Sequence, residues 1–417
     1  MLATMSVRYL CLPLGLLLFP ACRAWHEPMP VEGAPLQGVE PVTVALAQAP
    51  RGYRAGNASI VRSRSGLWVA WEHATFDKTD TTLHLFHSVD RPFQDPWSSV
   101  VVKRTDGQTK PSLASSPEGV YLLSNHCGGT CGSIEVSHGH VEHYLAETPL
   151  TPSSEWSFTL PSDRDAGRGD VASSIDPSTR EPVPGQHLVA CYSDTPTADT
   201  AADPVEALRC DSLSDKGWRN RFVLESGQNA DHPSVLLDPG DGLLVGFGGR
   251  VDGRREALLR FDDDTVLRLA PDVLGGDVQL ARGVGSLHAV WRTHVDGLWS
   301  LQLGTCATYP DCTTLDRWDV VEVSQAGLID GLAVEVEKGE VVLSWSEGAS
   351  MDTSRVEVAW VCPGGLQRQT VAERASTNQG QPSMVLHERE LVLAYTSLET
   401  EQNPVELHLA RVRRNCK

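Results

Sequence analysis

The feature that most constrains this 417-residue chain is a repeat about fifty residues long. Seven runs share one pattern: GLWVAWEH, GVYLLSNH, HLVACYSD, GLLVGFGG, SLHAVWRT, EVVLSWSE and ELVLAYTS. Each is a short apolar stretch that closes on a bulky residue and then turns polar. With Trp71, Leu123, Cys191, Phe247, Trp291, Trp345 and Tyr395 as reference points, the spacings are 52, 68, 56, 44, 54 and 50 residues. A period of this size belongs to stacked or radial arrays, because one such unit cannot bury its apolar face alone.

The neighbours of these runs decide between the arrays. Most are preceded by another strand-like stretch and a turn, and Pro111, Pro233 and Pro382 each open one with Pro-Ser. Proline suits the first residue of a strand, where no ladder donor is needed. A third strand with Val-Glu follows (HVEHYLA, PVEALRC, RVEVAWV, PVELHLA), and a fourth often opens on tryptophan at Trp97, Trp156, Trp218 or Trp318. Four short antiparallel strands repeated seven times, with almost no helical periodicity, predict an all-β, seven-bladed β-propeller; six blades is the alternative. The last repeat stops after its third strand, and a lone strand, Pro41 to Leu46, stands before the first. That strand is expected to complete the last blade and remove an exposed edge. The blades then fall at about 53–105, 106–164, 165–227, 228–273, 274–326, 327–375, and 376–416 with 41–49.

Net charge is −19, which argues against nucleic-acid or anionic-membrane partners, since both need a basic footprint. The N-terminus carries Arg8 and an apolar run from Tyr9 to Ala21, too short to span a bilayer and typical of a signal peptide. Leu18-Phe19-Pro20-Ala21-Cys22 resembles a bacterial lipobox, with Phe19 where that motif prefers leucine. The resemblance implies lipidation of Cys22 and an exported protein held on the bacterial cell envelope, at the outer membrane, by its lipid alone. Cleavage after Ala24, giving a secreted or periplasmic soluble protein, is the rival. The expected division is 1–22 signal peptide with lipobox, 23–40 a Pro-rich tether, and 41–417 the propeller.

Export makes the cysteines read as disulfides. Beyond Cys11 and Cys22 there are eight: Cys127, Cys131, Cys191, Cys210, Cys306, Cys312, Cys362 and Cys416. Proximity suggests the pairs 127/131, 191/210, 306/312 and 362/416. The stretch NHCGGTCGSIEVSHGHVEHY adds His126, His138, His140 and His143. Cys127 to His140 reads as a loop stapled by a small disulfide ring, whose glycines permit tight closure. A closed zinc site would want four good ligands at matched spacing, so no metal is expected, although His138 and His140 share a face.

Tyr53-Arg54, ahead of the first blade strand, together with fragments of an S-x-D-x-G-x-x-W box at Ser88-Val89-Asp90 and Asp215-Lys216-Gly217-Trp218, resembles the sialidase superfamily. The resemblance implies a propeller and gives Arg54 the role of gripping a sugar carboxylate. The chain departs from the family in having Ala55-Gly56 where Ile-Pro is usual. Its seven repeats stand against the family's six blades, and the three-arginine cluster and the Tyr/Glu nucleophile pair have no placeable counterpart.

Loops into strand one and out of strand two share one face in such propellers. Strand-one entrances supply Arg54, Lys110, Asp170, Asp231, His232, Asp277 and Asp330. Strand-two exits supply Glu72, His73, Asn125, His126, Asp194, Arg250, Arg292, His294 and Glu347. From these, Arg54, Glu72, His73, His126, Arg250, Arg292 and Glu347 are the candidate ligand contacts, with no catalytic residue assigned. No G-x-S-x-G, H-E-x-x-H or phosphate-binding loop is present, and no cofactor is expected. Asp262-Asp263-Asp264 and Asp238-Pro239-Gly240-Asp241-Gly242 read as turns. The favoured function is a non-catalytic surface propeller binding a protein or glycan ligand. The alternative is a glycan-active enzyme, a sialidase-like hydrolase or a polysaccharide lyase.

Overall fold

The computed structural model describes residues 41–75, 80–89, 92–93, 96–105, 111–127, 137–146, 149–159, 165–179, 181–183, 188–195, 207–214, 217–224, 231–240, 242–377, 383–387, 390–398 and 404–414. Their regular structure is strand, apart from single 3-10 turns at Leu315–Arg317 and Met351–Thr353. Seven antiparallel sheets form, one per repeat, at 53–105, 112–159, 165–224, 231–268, 274–326, 328–372, and 375–413 joined by 42–48. The protein is a seven-bladed β-propeller of four-stranded blades. Val42–Gln48 pairs antiparallel with Glu406–Arg413, placing Val44 opposite Leu409, so the first strand closes the ring on the last blade. The signal peptide, Cys22 and the tether lie outside the described residues.

Between blades the core is a stack of flat apolar faces. Trp71 packs between blades 7 and 1 with Val385 and Leu407. Trp291 faces Leu244 and Leu259 of blade 4, and Trp345 faces Leu301 and Leu303 of blade 5. Tyr395 faces Val358 and Trp360 of blade 6, so it belongs to the core. Two reference points need correction. Register puts Ala70 opposite Ser59, Leu123 opposite Ser112 and Cys191 opposite Asp170. The residue after each is therefore the structural counterpart of Trp71, which makes Ser124 and Tyr192 the equivalents in blades 2 and 3. A shift of one residue along a strand moves the side chain to the other face. Leu123 accordingly packs toward blade 3, and Cys191 packs toward Val235 of blade 4.

Two of the Pro-Ser openings, at Ser112 and Ser234, acquire a purpose in the inner strands, shared by Ser59 and Asp170. Leu113 N–H of blade 2 donates to Ser59 Oγ of blade 1 at 3.1 Å. Val171 N–H donates to Ser112 Oγ at 3.3 Å, Val235 N–H to Asp170 Oδ2 at 2.9 Å, and Leu280 N–H to Ser234 Oγ at 3.2 Å. Four successive blade junctions are thus closed by a side-chain acceptor that takes the next inner strand's free amide, a donor that burial would otherwise leave unpaired.

Cys191 and Cys210 form a disulfide across directly opposed positions, with Cα atoms 4.1 Å apart. Cys306 and Cys312 form another, and Trp318 Nε1 donates to Cys312 O at 2.9 Å. Cys362 is disulfide-bonded as well. Cys416, Cys131 and the Cys127 side chain lie outside the described residues. In blade 2 the hairpin is longer than its sequence suggests. Gly119–Cys127 and Ser137–Leu145 stay paired up to Cys127 opposite Ser137, so His138 and His140 are strand residues rather than loop.

The Asp238 turn is more than a connection. Asp238 takes Arg282 and the Tyr309 hydroxyl from blade 5. At that same end of the ring the blade 3 segment from Ser174 to Val183 folds on itself through Asp176 N–H to Glu181 O, and Arg64 of blade 1 pairs with Glu181.

Candidate functional site

Antiparallel order puts every strand-one start and strand-two end at the opposite end of the ring from the Arg64–Glu181 pair. Most inner strands carry a bulge there, seen between Ala55 and Ala58, Gly276 and Gln279, and Asp330 and Ala333. Extra residues at a bulge bend the strand and re-aim its side chains. Asp277 sits within one bulge and Asp330 at the start of another.

These two carboxylates meet two arginines. Arg255 Nη2 donates to Asp277 Oδ1 at 3.3 Å, and Arg292 pairs with Asp277 from the other side. Arg292 also donates to Ile329 O at 2.6 Å, stands 3.6 Å from Asp330 Oδ1, and lies over the Trp299 ring at 4.5 Å. Asp330 Oδ1 accepts from Gly331 N–H at 3.0 Å. The sequence Arg255, Asp277, Arg292, Asp330 runs plus, minus, plus, minus across blades 4, 5 and 6. Room for Arg255 comes from two glycines. A Cβ at Gly248 would stand 2.8 Å from Arg255 Nε and one at Gly276 3.0 Å from it, and Gly276 has φ +155°. Arg292, Asp277 and Asp330 were legible as mouth residues. Arg255 was not, and the only sequence signal was its place in the DGRR turn beside Arg250.

Glu347 anchors a second cluster between blades 5 and 6. Its carboxylate accepts from Ser324 Oγ, Trp345 Nε1 at 2.7 Å, Arg355 Nη2 at 2.9 Å and Arg368 Nη2 at 2.8 Å. Burial works to raise its pKa, but these donors outweigh burial and hold it below the usual carboxylate range. Glu357 is pushed the other way, first by burial, despite Thr370 donating to it at 2.8 Å. Arg368 stacks over Trp345 at 5.0 Å, so the cluster is tied into the blade wall.

The remaining candidates are dispersed. Glu72 is fully buried, and a Cβ at Gly56 would stand 2.6 Å from its carbonyl oxygen. His73 is 5% exposed, its Nε2 3.1 Å from His84 Nε2 and its ring edge-on to Tyr53, whose hydroxyl donates to Asp80. Burial first, then the neighbouring His84, lowers the His73 pKa to about 4. Arg250 is exposed, with its backbone opposite Arg255. Arg54 lies opposite Ala74 and His126 opposite His138, but both side chains lie outside the described residues. Among the described residues no group of three or more His, Cys, Asp or Glu side chains is arranged to hold a metal ion. None of their helices is long and apolar enough to cross a membrane.

The arrangement at the mouth sets two guanidiniums against two buried carboxylates on rigid strand ends, with Arg292 over Trp299 and Arg255 the most exposed of the four. Arg255 therefore leaves guanidinium donors within reach of a hydroxyl-bearing ligand.

No family model matches the sequence, and no curated protein matches it. Solved structures do resemble the fold. The phage phi92 endosialidase aligns over 90% of this chain and 69% of its own, at 10% identity and a TM-score of 0.51. The alpha-L-arabinanase of Penicillium chrysogenum, complexed with arabinobiose, covers 89% and 98% at 12% identity and TM-score 0.49. Trypanosoma rangeli sialidase with the inhibitor DANA covers 86% and 55% at 12% identity and TM-score 0.45. The likeness is one of fold: the phage endosialidase and this chain are both β-propellers, and this chain has seven blades.

Proposed function

We propose that the protein is an exported, carbohydrate-directed propeller that takes a glycan at the mouth lined by blades 4 to 6. The observation that carries this reading is the alternating array of Arg255, Asp277, Arg292 and Asp330 on one rim. Recognition is the reading the geometry supports best, because both carboxylates are already taken up by Arg292 and neither stands apart as an acid or base. Arg255 is the contact to test, since it is the more exposed arginine and its removal leaves Arg292 on Asp277. On a glycan array and by calorimetry with the best hit, Arg255→Ala should weaken binding about tenfold or more while the melting temperature stays near wild type. Unchanged affinity would remove the mouth from the argument.

A second reading, a glycan-cleaving enzyme, draws support from the fold shared with the phage phi92 endosialidase. Incubation with sialosides, arabinan and uronic-acid polysaccharides separates the two. Bound but intact glycan supports recognition, whereas turnover lost in Arg255→Ala makes the mouth an active site.

Localisation belongs to the same proposal. The Leu18-Phe19-Pro20-Ala21-Cys22 stretch supports lipid attachment at Cys22. Membrane fractionation should find the wild type bound and Cys22→Ala soluble, and equal retention of both would end the lipoprotein reading.

A further inference from the structure

We propose that the outer edge of blade 7, the strand Val42–Gln48, is a self-association surface that pairs with the same strand of a second copy. Among the described residues this strand is the outermost of its sheet and pairs on one side only. Every other outer strand carries at least one charge: Lys103, Glu155, Arg219, Arg268, Asp319 and Arg368 mark the six. VTVALAQ carries none. Charged side chains are the usual guard of a bare edge, because they must be desolvated when another strand docks. Here the guard is reduced to one irregularity between Ala45 and Ala47.

Exposure among the described residues agrees with an unpaired edge. Thr43, Ala45 and Gln48 are exposed and Val42 is 44% exposed, while Val44 and Leu46 pack inward against the blade 7–blade 1 core. A second copy is the occupant that fits. The molecule carries a net charge of −19, so two copies repel over most of their surface. An uncharged strand is where they approach without placing like charges opposite each other. Antiparallel pairing about a two-fold axis is self-complementary, as an isologous contact requires. It sets only apolar, hydroxyl and amide side chains across from one another in any register. Such a seam buries little area, so the dimer is weak and concentration-dependent.

Sedimentation velocity of the purified exported chain over a concentration series tests this. The expected result is a reversible shift from monomer toward twice that mass. Ala45→Lys with Gln48→Lys, the latter able to keep a contact with Glu406, should abolish the shift without lowering the melting temperature, while the control Val320→Lys on the outer strand of blade 5 should leave it intact. A wild type that stays monomeric throughout overturns the proposal without recourse to any variant. So does a dimer that the edge lysines do not disturb. A monomer that instead captures an added uncharged extended peptide would assign the edge to a different partner and overturn self-pairing.

Discussion

Asp170 shows how one residue can serve the ring at a price in charge. It occupies the place that Ser59, Ser112 and Ser234 hold in other blades and accepts from Ser112 Oγ at 2.6 Å, Val171 N–H at 2.9 Å and Val235 N–H at 2.9 Å. Burial nevertheless pushes its pKa up to about 6, against the pull of those three donors. The sign follows directly. An acid whose folded pKa lies above its ordinary 3.8 gives its greatest stability below 3.8, and that stability falls as the pH rises toward 6. Two pKa units correspond to about 3 kcal/mol. Asp170→Ser keeps an acceptor for Val235 N–H and removes the buried charge, so thermal melts should show its stability relative to wild type improving between pH 4 and 7. Asp170→Ala leaves amides unpaired and should lose about 1–3 kcal/mol at pH 4, where the wild-type carboxyl is mostly protonated. A wild-type-like pH profile for the serine variant would show that Asp170 does not titrate in this range.

At the scale of elements, the blade interfaces and the closing strand carry the stability. Trp71, Trp291 and Trp345 are essentially fully buried, and truncating any to alanine should cost roughly 3–5 kcal/mol. The disulfide of Cys191 and Cys210 closes a loop with a sequence separation of 19. On the chain-entropy view its removal by Cys191→Ser with Cys210→Ser should destabilise by about 3 kcal/mol in urea melts. The strand Val42–Gln48 covers Leu407 and Leu409, both wholly buried. Deleting 41–48 should lower the melting temperature and expose apolar surface to a hydrophobic dye. A truncated protein that melts like the wild type would show that closure by this strand is dispensable.

For the whole molecule the strongest pH dependence lies on the acid side. His288 is held between Ser286 Oγ and Thr305 Oγ1, each at 3.1 Å, and burial lowers its pKa to about 4. His73 is lowered to a similar value, and His87, His143 and His408 are lowered too, each first by burial. A folded pKa below the ordinary 6.5 means stability that is complete above 6.5 and lost as pH falls through about 4. For His288 that loss is about 3 kcal/mol at full protonation. Glu347, held low by its donors, acts in the same direction at lower pH, and Asp170 opposes both. Melting temperatures should therefore fall from pH 7 to pH 4, and His288→Gln should flatten that slope. A flat wild-type profile would mean that the buried histidines accept protons without loss of packing.

From the sequence came the class and the closing strand, and seven blades in preference to six, which the sheet topology settles. Seven repeats of alternating apolar strands cannot bury their faces except against one another, and the missing fourth strand of the last repeat matched the lone strand at Val42–Gln48. Proximity also suggested the 191/210 and 306/312 disulfides, which the structure forms, since nearness along a hairpin means nearness in space. Tertiary structure decided what depends on register and on residues from different blades. A one-residue difference made Ser124 and Tyr192, rather than Leu123 and Cys191, the counterparts of Trp71. Arg255 joins Asp277, Arg292 and Asp330 only because three blades converge, and two glycines leave space for its side chain. Asp238 gained Arg282 and Tyr309 in the same way. Periodicity is a local property that a chain displays along its length. A polar constellation assembled across blades has no local signature, because burial and pairing are set by neighbours that the chain reaches only on folding.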